Sequence, residues 1–240
     1  KNILRRKRMK NNILFFAFTG LLALYPVCAG WGQADTRYIS EELNKIQRCK
    51  NMALTRNQGM VALFGSNGHI TSGIPNTLYD KLKDFNNRGL VVDDICLTEN
   101  GSWYIVGDEL SGYGVPADIS NKIEEMLNNQ ERITCVSFND RGRGVVISDK
   151  SFWANDRDLH NYLASLSKEY GYINSVCITN KGMIACLNGG YGCNGTVPDT
   201  LLNYLDRELS DHIGIPRYIK FSDWGDWFVA DSYENYQAYF

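Results

Sequence analysis

The chain holds only three histidines, His69, His160 and His212. None stands in a spacing such as His-Glu-x-x-His, where one helix turn brings two rings to a shared metal. His160 follows Leu159 and His212 lies past Leu209 in stretches of helical periodicity, the place of solvated helix residues rather than ligands. No Gly-x-Ser-x-Gly elbow, Gly-x-x-x-x-Gly-Lys phosphate loop or Cys-x-x-Cys pair occurs, so neither a cofactor nor a metal is expected. The stretch closest to a nucleophile loop is Gly189-Gly190-Tyr191-Gly192-Cys193-Asn194-Gly195. A thiolate at Cys193 would need a nearby base or positive charge, and the sequence indicates none. A cysteine- or carboxylate-dependent hydrolase, or a structural component of the envelope, is therefore the alternative reading, not the first. Asp149, Asn155, Asp156 and Asp158, and separately Asp223 and Asp226, supply oxygens but do not follow the twelve-residue calcium loop. Asp156 and Asp158 suit the positive end of a helix equally well.

What recurs is a polar and aromatic segment after a short apolar run: Gly65-Ser66-Asn67-Gly68-His69, Gly107 to Tyr113, Ser148 to Trp153, Asn188 to Tyr191 and Asp231-Ser232-Tyr233. Planar rings beside amides and carboxylates suit sugars or peptides, because a ring offers stacking area with little side-chain entropy to lose. His69, Tyr113, Phe152, Trp153, Tyr191 and Tyr233 are the candidate ligand-binding residues, and a glycan or an envelope or extracellular protein is the expected partner. The competing reading is that these rings pack over neighbouring helices.

The elements that would position such segments repeat. Ile74-Pro75, Val115-Pro116 and Val197-Pro198 open three segments, and Ile39-Ser40 and Asn155-Asp156 open two weaker ones. Each leads into apolar anchors at helical spacing, beginning with Leu43, Leu78, Ile119, Leu159 and Leu201. The period then changes to that of a strand in Met52-Ala53-Leu54-Thr55, Ile95-Cys96-Leu97-Thr98, Val136-Ser137-Phe138-Asn139, Val176-Cys177-Ile178-Thr179 and Ile219-Lys220-Phe221-Ser222. A turn with glycine (Gly59, Gly101, Gly142, Gly182, Gly225) leads to a second strand that is apolar at successive positions, as in Trp103-Tyr104-Ile105-Val106, which implies a sheet covered on both faces. The expected fold is α+β, about five helix–strand–strand units (39–73, 74–114, 115–154, 155–196 and 197–240). Their hairpins form a curved or ring-closed, propeller-like array with helices outside, because such units must stack to bury their faces. The resemblance to propellers is architectural only, since a propeller blade has four strands and this unit supplies two. The aromatic tail from Tyr233 to Phe240 is suited to latch the last unit onto the first.

Composition limits what such an array can do. With 44% hydrophobic and 22% charged residues and a net charge of −2, the chain has the balance of a globular protein and lacks the basic excess of a nucleic-acid binder. Lys1 to Lys10 is basic and Ile13 to Val27 apolar, followed by Val27-Cys28-Ala29, which reads as a signal peptide over residues 1–29 and export of a single repeat domain, 30–240. No membrane span is expected after its removal. A lipid anchor at Cys28 is the lesser alternative, since Tyr25-Pro26-Val27 lacks a small residue just ahead of the cysteine. Of the six remaining cysteines, Cys49, Cys96, Cys135, Cys177 and Cys186 sit in apolar strand patterns as small buried hydrophobes. Cys193, in the glycine-rich loop, could pair with Cys186 if geometry allowed.

Overall fold

The computed structural model describes residues 35–207 and 215–240. The expected signal peptide and Cys28, and Leu209 and His212, lie outside the described residues.

Two helices begin at a capping aspartate and two directly after a proline. Asp35 accepts a bond from the Tyr38 N–H (3.0 Å) to start α1 (Thr36–Ile46), and Asp156 accepts one from the Leu159 N–H (2.7 Å) to start α4 (Arg157–Tyr170). Asp156 thus works as a helix cap. Pro75 and Pro116, with φ of −56° and −54°, immediately precede α2 (Asn76–Arg88) and α3 (Ala117–Asn128), where a missing N–H costs nothing. The fifth helix, α5, spans Asp199–Arg207. The first anchors Leu43, Leu78, Ile119, Leu159 and Leu201 are all buried.

Every helix is followed by three strands, not two. They are β1 (Asn51–Leu54), β2 (Met60–Phe64) and β3 (Gly68–Ser72), then β4 (Val92–Leu97), β5 (Trp103–Gly107) and β6 (Ser111–Tyr113). There follow β7 (Ile133–Phe138), β8 (Gly144–Ser148) and β9 (Phe152–Ala154), then β10 (Ile173–Ile178), β11 (Gly182–Leu187) and β12 (Gly190–Gly195), and finally β13 (Pro216–Phe221), β14 (Trp227–Asp231) and β15 (Tyr236–Tyr239). The result is five three-stranded antiparallel sheets. The helix–strand–strand expectation is corrected to helix–strand–strand–strand, and the physical reason is the open edge of the second strand. Its unpaired N–H and C=O groups are met by the segment that folds back along it.

Both faces of each sheet are covered. The core around α2 takes Val61 and Leu63 from the sheet before it and Val92, Ile95 and Ile105 from the sheet after it. The alternate residues Met60 and Ala62 face the core around α1. This explains second strands that are apolar at successive positions. The core around α1 joins Ile39 and Leu43 to Met52 and Leu54 of the first sheet and to Phe228 and Ala230 of the last. Tyr236, Ala238 and Phe240 of the aromatic tail pack against that same core.

The first strands lie side by side, β1 next to β4, β4 next to β7, β7 next to β10, β10 next to β13, and β13 next to β1. They belong to different sheets, so their facing edges make no ladder, and side chains take its place. The Cys96, Cys135 and Cys177 thiols donate to the carbonyls of Phe138, Val176 and Phe221 in the neighbouring first strand (3.5, 3.7 and 3.6 Å). Ser175 Oγ donates to the Arg217 carbonyl (2.9 Å), Asn139 Nδ2 to the Thr179 carbonyl (2.9 Å), and Ser137 Oγ accepts from the Ile178 N–H (2.9 Å). These positions need a small side chain with a polar atom, which is why cysteine and serine alternate with large apolar residues along these strands. The described cysteines are all free. Cys186 is buried with its thiol on the Pro216 carbonyl (2.9 Å), and its direct partner on β12 is Tyr191, not Cys193.

Candidate functional site

The two ends of the first strands differ in chemistry. At their C-terminal ends a cavity of about 50 Å³ is lined by Thr98, Ser137, Asn139, Thr179, Lys220 and Ser222 among others. Most of its rim is already committed to the adjacent turns: Thr55 Oγ1 donates to the Gly59 carbonyl (2.6 Å), Thr98 Oγ1 to Asn100 Oδ1 (2.6 Å) and Ser222 Oγ to Asp226 Oδ2 (2.9 Å). The next residue along ties each turn to its neighbour. Glu99 accepts from the Arg56 and Asn57 N–H groups, Asp140 from the Asn100 N–H and from Asn180 Nδ2, and Asp223 from the Asn180 and Lys181 N–H groups. The Arg56 guanidinium lies 4.6 Å from the centre of the Trp224 ring, joining the last turn to the first. This end is consumed by structure.

In the interior, Lys220 Nζ donates to Asp94 Oδ1 at 2.7 Å, and Asn51 Nδ2 donates to the same oxygen at 2.7 Å. The Asp94 side chain is fully buried and that of Lys220 is 6% exposed. Burial alone would raise the Asp94 pKa, but the Lys220 charge and the bonds it receives outweigh burial and hold the carboxyl below its ordinary value. Burial likewise opposes the Lys220 charge, and Asp94 overcomes it, so the ammonium is held above its ordinary value. The pair is a buried charge-assisted hydrogen bond between Lys220, which also lines the cavity at the C-terminal ends, and Asp94, which does not.

The N-terminal ends of the first strands carry a groove of about 540 Å³, and its construction follows the repeat. Four of the five first strands contain a register shift against their second strand, after Val92, Ile133, Ile173 and Pro216. The extra residues are Asp93, Thr134, Asn174 and Arg217. A bulge re-aims the side chain it inserts, and Thr134, Asn174 and Arg217 all line the groove. Each of these three units adds the residue just past its second strand, Asp149, Asn188 and Ser232, and the residue two before the bulge, Arg132, Tyr172 and Ile215. The first two units use the corresponding place differently, in an ion pair of Lys50 Nζ with Asp93 Oδ1 at 3.9 Å. Asp149 is occupied within the groove wall: its Oδ1 accepts from the Arg132 N–H (2.8 Å) while its own N–H reaches the Arg132 carbonyl (2.9 Å). The Tyr172 hydroxyl donates to the Ser148 carbonyl (2.6 Å), which pins its ring. The Arg132 and Arg217 guanidinium groups have no carboxylate partner among the described residues. Two arginines without a carboxylate partner among the described residues and a fixed ring thus stand together at the meeting of three repeats.

The residues singled out from sequence lie elsewhere. His69 is half-buried in β3, and burial lowers its pKa. Phe152 and Trp153, adjacent in β9, pack against different cores, those of α4 and α3. Tyr191 packs against the core of α5 and donates its hydroxyl to Asp206. Tyr113 and Tyr233 are exposed, at 58% and 86%. These six are spread over the third strands and the turn before β15 and do not share one pocket, although Phe152 lines a separate pocket of about 360 Å³ with His160 and Tyr172. Three of the segments they belong to do contribute to the groove, through Asp149, Asn188 and Ser232 rather than through their rings. The Cys193 thiol is raised by burial and then by the Asp206 carboxylate, the opposite of what a nucleophile needs. Among the described residues no group of three or more His, Cys, Asp or Glu could hold a metal ion, and no helix is long and apolar enough to cross a membrane.

Neither a family model nor a curated protein sequence matches the chain.

Proposed function

We propose that the protein is an exported, non-enzymatic binding module, a ring of five repeated units that receives a glycan or an envelope or extracellular protein on the end where the second strands run out into loops. The observation that carries this reading is the groove: three successive units each give it a bulge residue, a loop residue and a residue ahead of the bulge, so the repeat itself generates a recessed polar surface. Ring closure is supported by the core shared between the first helix and the last sheet, and by β13 lying beside β1. Export is supported by the basic and then apolar start of the sequence.

A glycan and envelope-protein array tests the binding reading. Wild-type protein is expected to retain a defined subset of ligands, and Asn188→Trp, which fills the groove from an exposed loop position, is expected to release them. Equal retention by the two proteins would reject the groove. If replacing Tyr113 and Tyr233 abolished retention while Asn188→Trp did not, the binding face would lie on the perimeter instead.

A further inference from the structure

Building on the groove as the binding surface, we infer that its ligand is an acidic saccharide, a sugar chain bearing carboxylates, anchored at Arg132 and Arg217. Both arginines line the groove, neither has a carboxylate partner among the described residues, and the Arg217 guanidinium lies 5.5 Å from the centre of the Tyr218 ring. The acid beside them, Asp149, is already bonded to the Arg132 N–H. A planar guanidinium matches a carboxylate with two parallel bonds, a geometry that a lysine does not offer. Tyr172, 39% exposed with its hydroxyl pinned to the Ser148 carbonyl, presents a ring already held in place for stacking on a sugar face. Thr134, Asn188 and Ser232 border the same space with hydroxyl and amide groups, the partners that sugar hydroxyls require. The volume falls within the range of about 300–1,000 Å³ usual for small-ligand sites.

Two other anionic ligands fit less well. An extended acidic peptide would bind by adding a strand to a free sheet edge. The groove lies at strand ends, and the first-strand edges beside it are already bonded to side chains of their neighbours. Phosphate sites are typically built from converging backbone N–H groups. Here the N–H groups of Arg132, Asp149 and Asn188 are spent on Asp149 Oδ1, the Arg132 carbonyl and the Tyr172 carbonyl.

Isothermal titration calorimetry on the purified full chain tests the assignment, with trigalacturonic acid, its methyl ester, hexaglutamate and inorganic phosphate as probes. Trigalacturonic acid is expected to bind, and the ester to bind at least tenfold more weakly. Arg132→Gln and Arg217→Gln should each weaken the acid about tenfold, and the double variant should abolish binding. Arg141→Gln, an exposed arginine in a turn at the opposite end of the first strands, should leave affinity unchanged. Because all three arginines are exposed, the variants are expected to melt with the wild type. Absence of binding by trigalacturonic acid, equal binding by its ester, or undiminished binding by the arginine variants overturns the inference. Tighter binding of hexaglutamate or phosphate that is lost in Asn188→Trp would also overturn it, yet leave the groove standing as a binding site. Loss of groove dependence for every probe would remove both.

Discussion

Replacing Lys220 by methionine should be among the most damaging single changes to the interior, and its pH dependence should run opposite to that of the wild type. The substitution keeps the length and apolar stem of the side chain but removes the ammonium that sits 2.7 Å from Asp94 Oδ1. Asp94 is left with 0% exposure and without its ammonium partner, with Asn51 Nδ2 still donating to Oδ1. Removing one member of a buried pair costs roughly 3–5 kcal/mol, because the other must stay charged without compensation or take up a proton. For a chain of this size that corresponds to a fall in melting temperature of roughly 6–20 °C. The double variant Asp94→Leu with Lys220→Met removes both charges, and Asn51 Nδ2 keeps the Asp93 carbonyl at 3.1 Å. It should therefore recover most of the loss, since replacing a buried pair by apolar groups is often neutral.

The sign with pH follows from the two states. In the wild type the folded carboxyl is held below its unfolded value, so its contribution is present above the ordinary carboxylate range and is lost as pH falls through the folded pKa, below about 4. In Lys220→Met burial becomes the dominant influence and lifts the folded pKa above the unfolded one. The penalty is then largest at neutral pH and is relieved on acidification toward the unfolded value. Urea unfolding followed by tryptophan fluorescence between about pH 2.5 and 8 reads both slopes. A loss under about 1 kcal/mol at pH 7, or a Lys220→Met deficit that does not shrink toward pH 5, would refute the enclosed pair.

Ser137→Ala removes the acceptor of the Ile178 N–H in the neighbouring first strand and should cost about 1–3 kcal/mol in urea unfolding, the penalty of an unpaired buried donor. In alkylation of native protein at pH 8, Cys193 should react first among the described thiols, because Cys49, Cys96 and Cys186 are pushed up to about 12 by burial and Cys193 is the one partly exposed. Peptide mapping reads the order, and Asp206→Asn should quicken Cys193. Burial holds the folded His69 pKa below its unfolded value, so the unfolded chain binds the proton first as pH falls. Stability should decline below about pH 6.5 from this group, and His69→Phe should flatten that part of the profile.

Helix anchors and first strands were legible because both rest on strong periodic signals, a 3.6-residue stripe and a five-fold recurring apolar phrase. The third strands were not, because β6 and β9 are three residues each and β12 reads Gly-Tyr-Gly-Cys-Asn-Gly. Glycine weakens strand propensity, and such short runs cannot show alternation. A physical signal was nevertheless present: a buried second strand with nothing on its outer edge is an incomplete hydrogen-bond account. Treating cysteine as a small hydrophobe was incomplete for a related reason, since Cys96, Cys135 and Cys177 supply the polar atom that a ladder would have supplied.

The same recurrence also carries information about charge. Aligning the first strands puts Asp94 level with Asn51, Cys135, Ser175 and Tyr218, and Lys220 level with Ala53, Cys96, Ser137 and Cys177. Opposite charges standing once each in otherwise neutral columns must meet or be expelled, because a lone buried charge is costly. They come from units that are not consecutive, so their meeting requires the first strands to converge on a shared interior. Arg217 stands one residue from buried Tyr218 inside a strand, where strict alternation would be kept unless a residue were inserted, and equivalent insertions at Thr134 and Asn174 aim three side chains at one space. The defects in the repeat, rather than its consensus, are therefore where this fold acquires a surface that can recognise something.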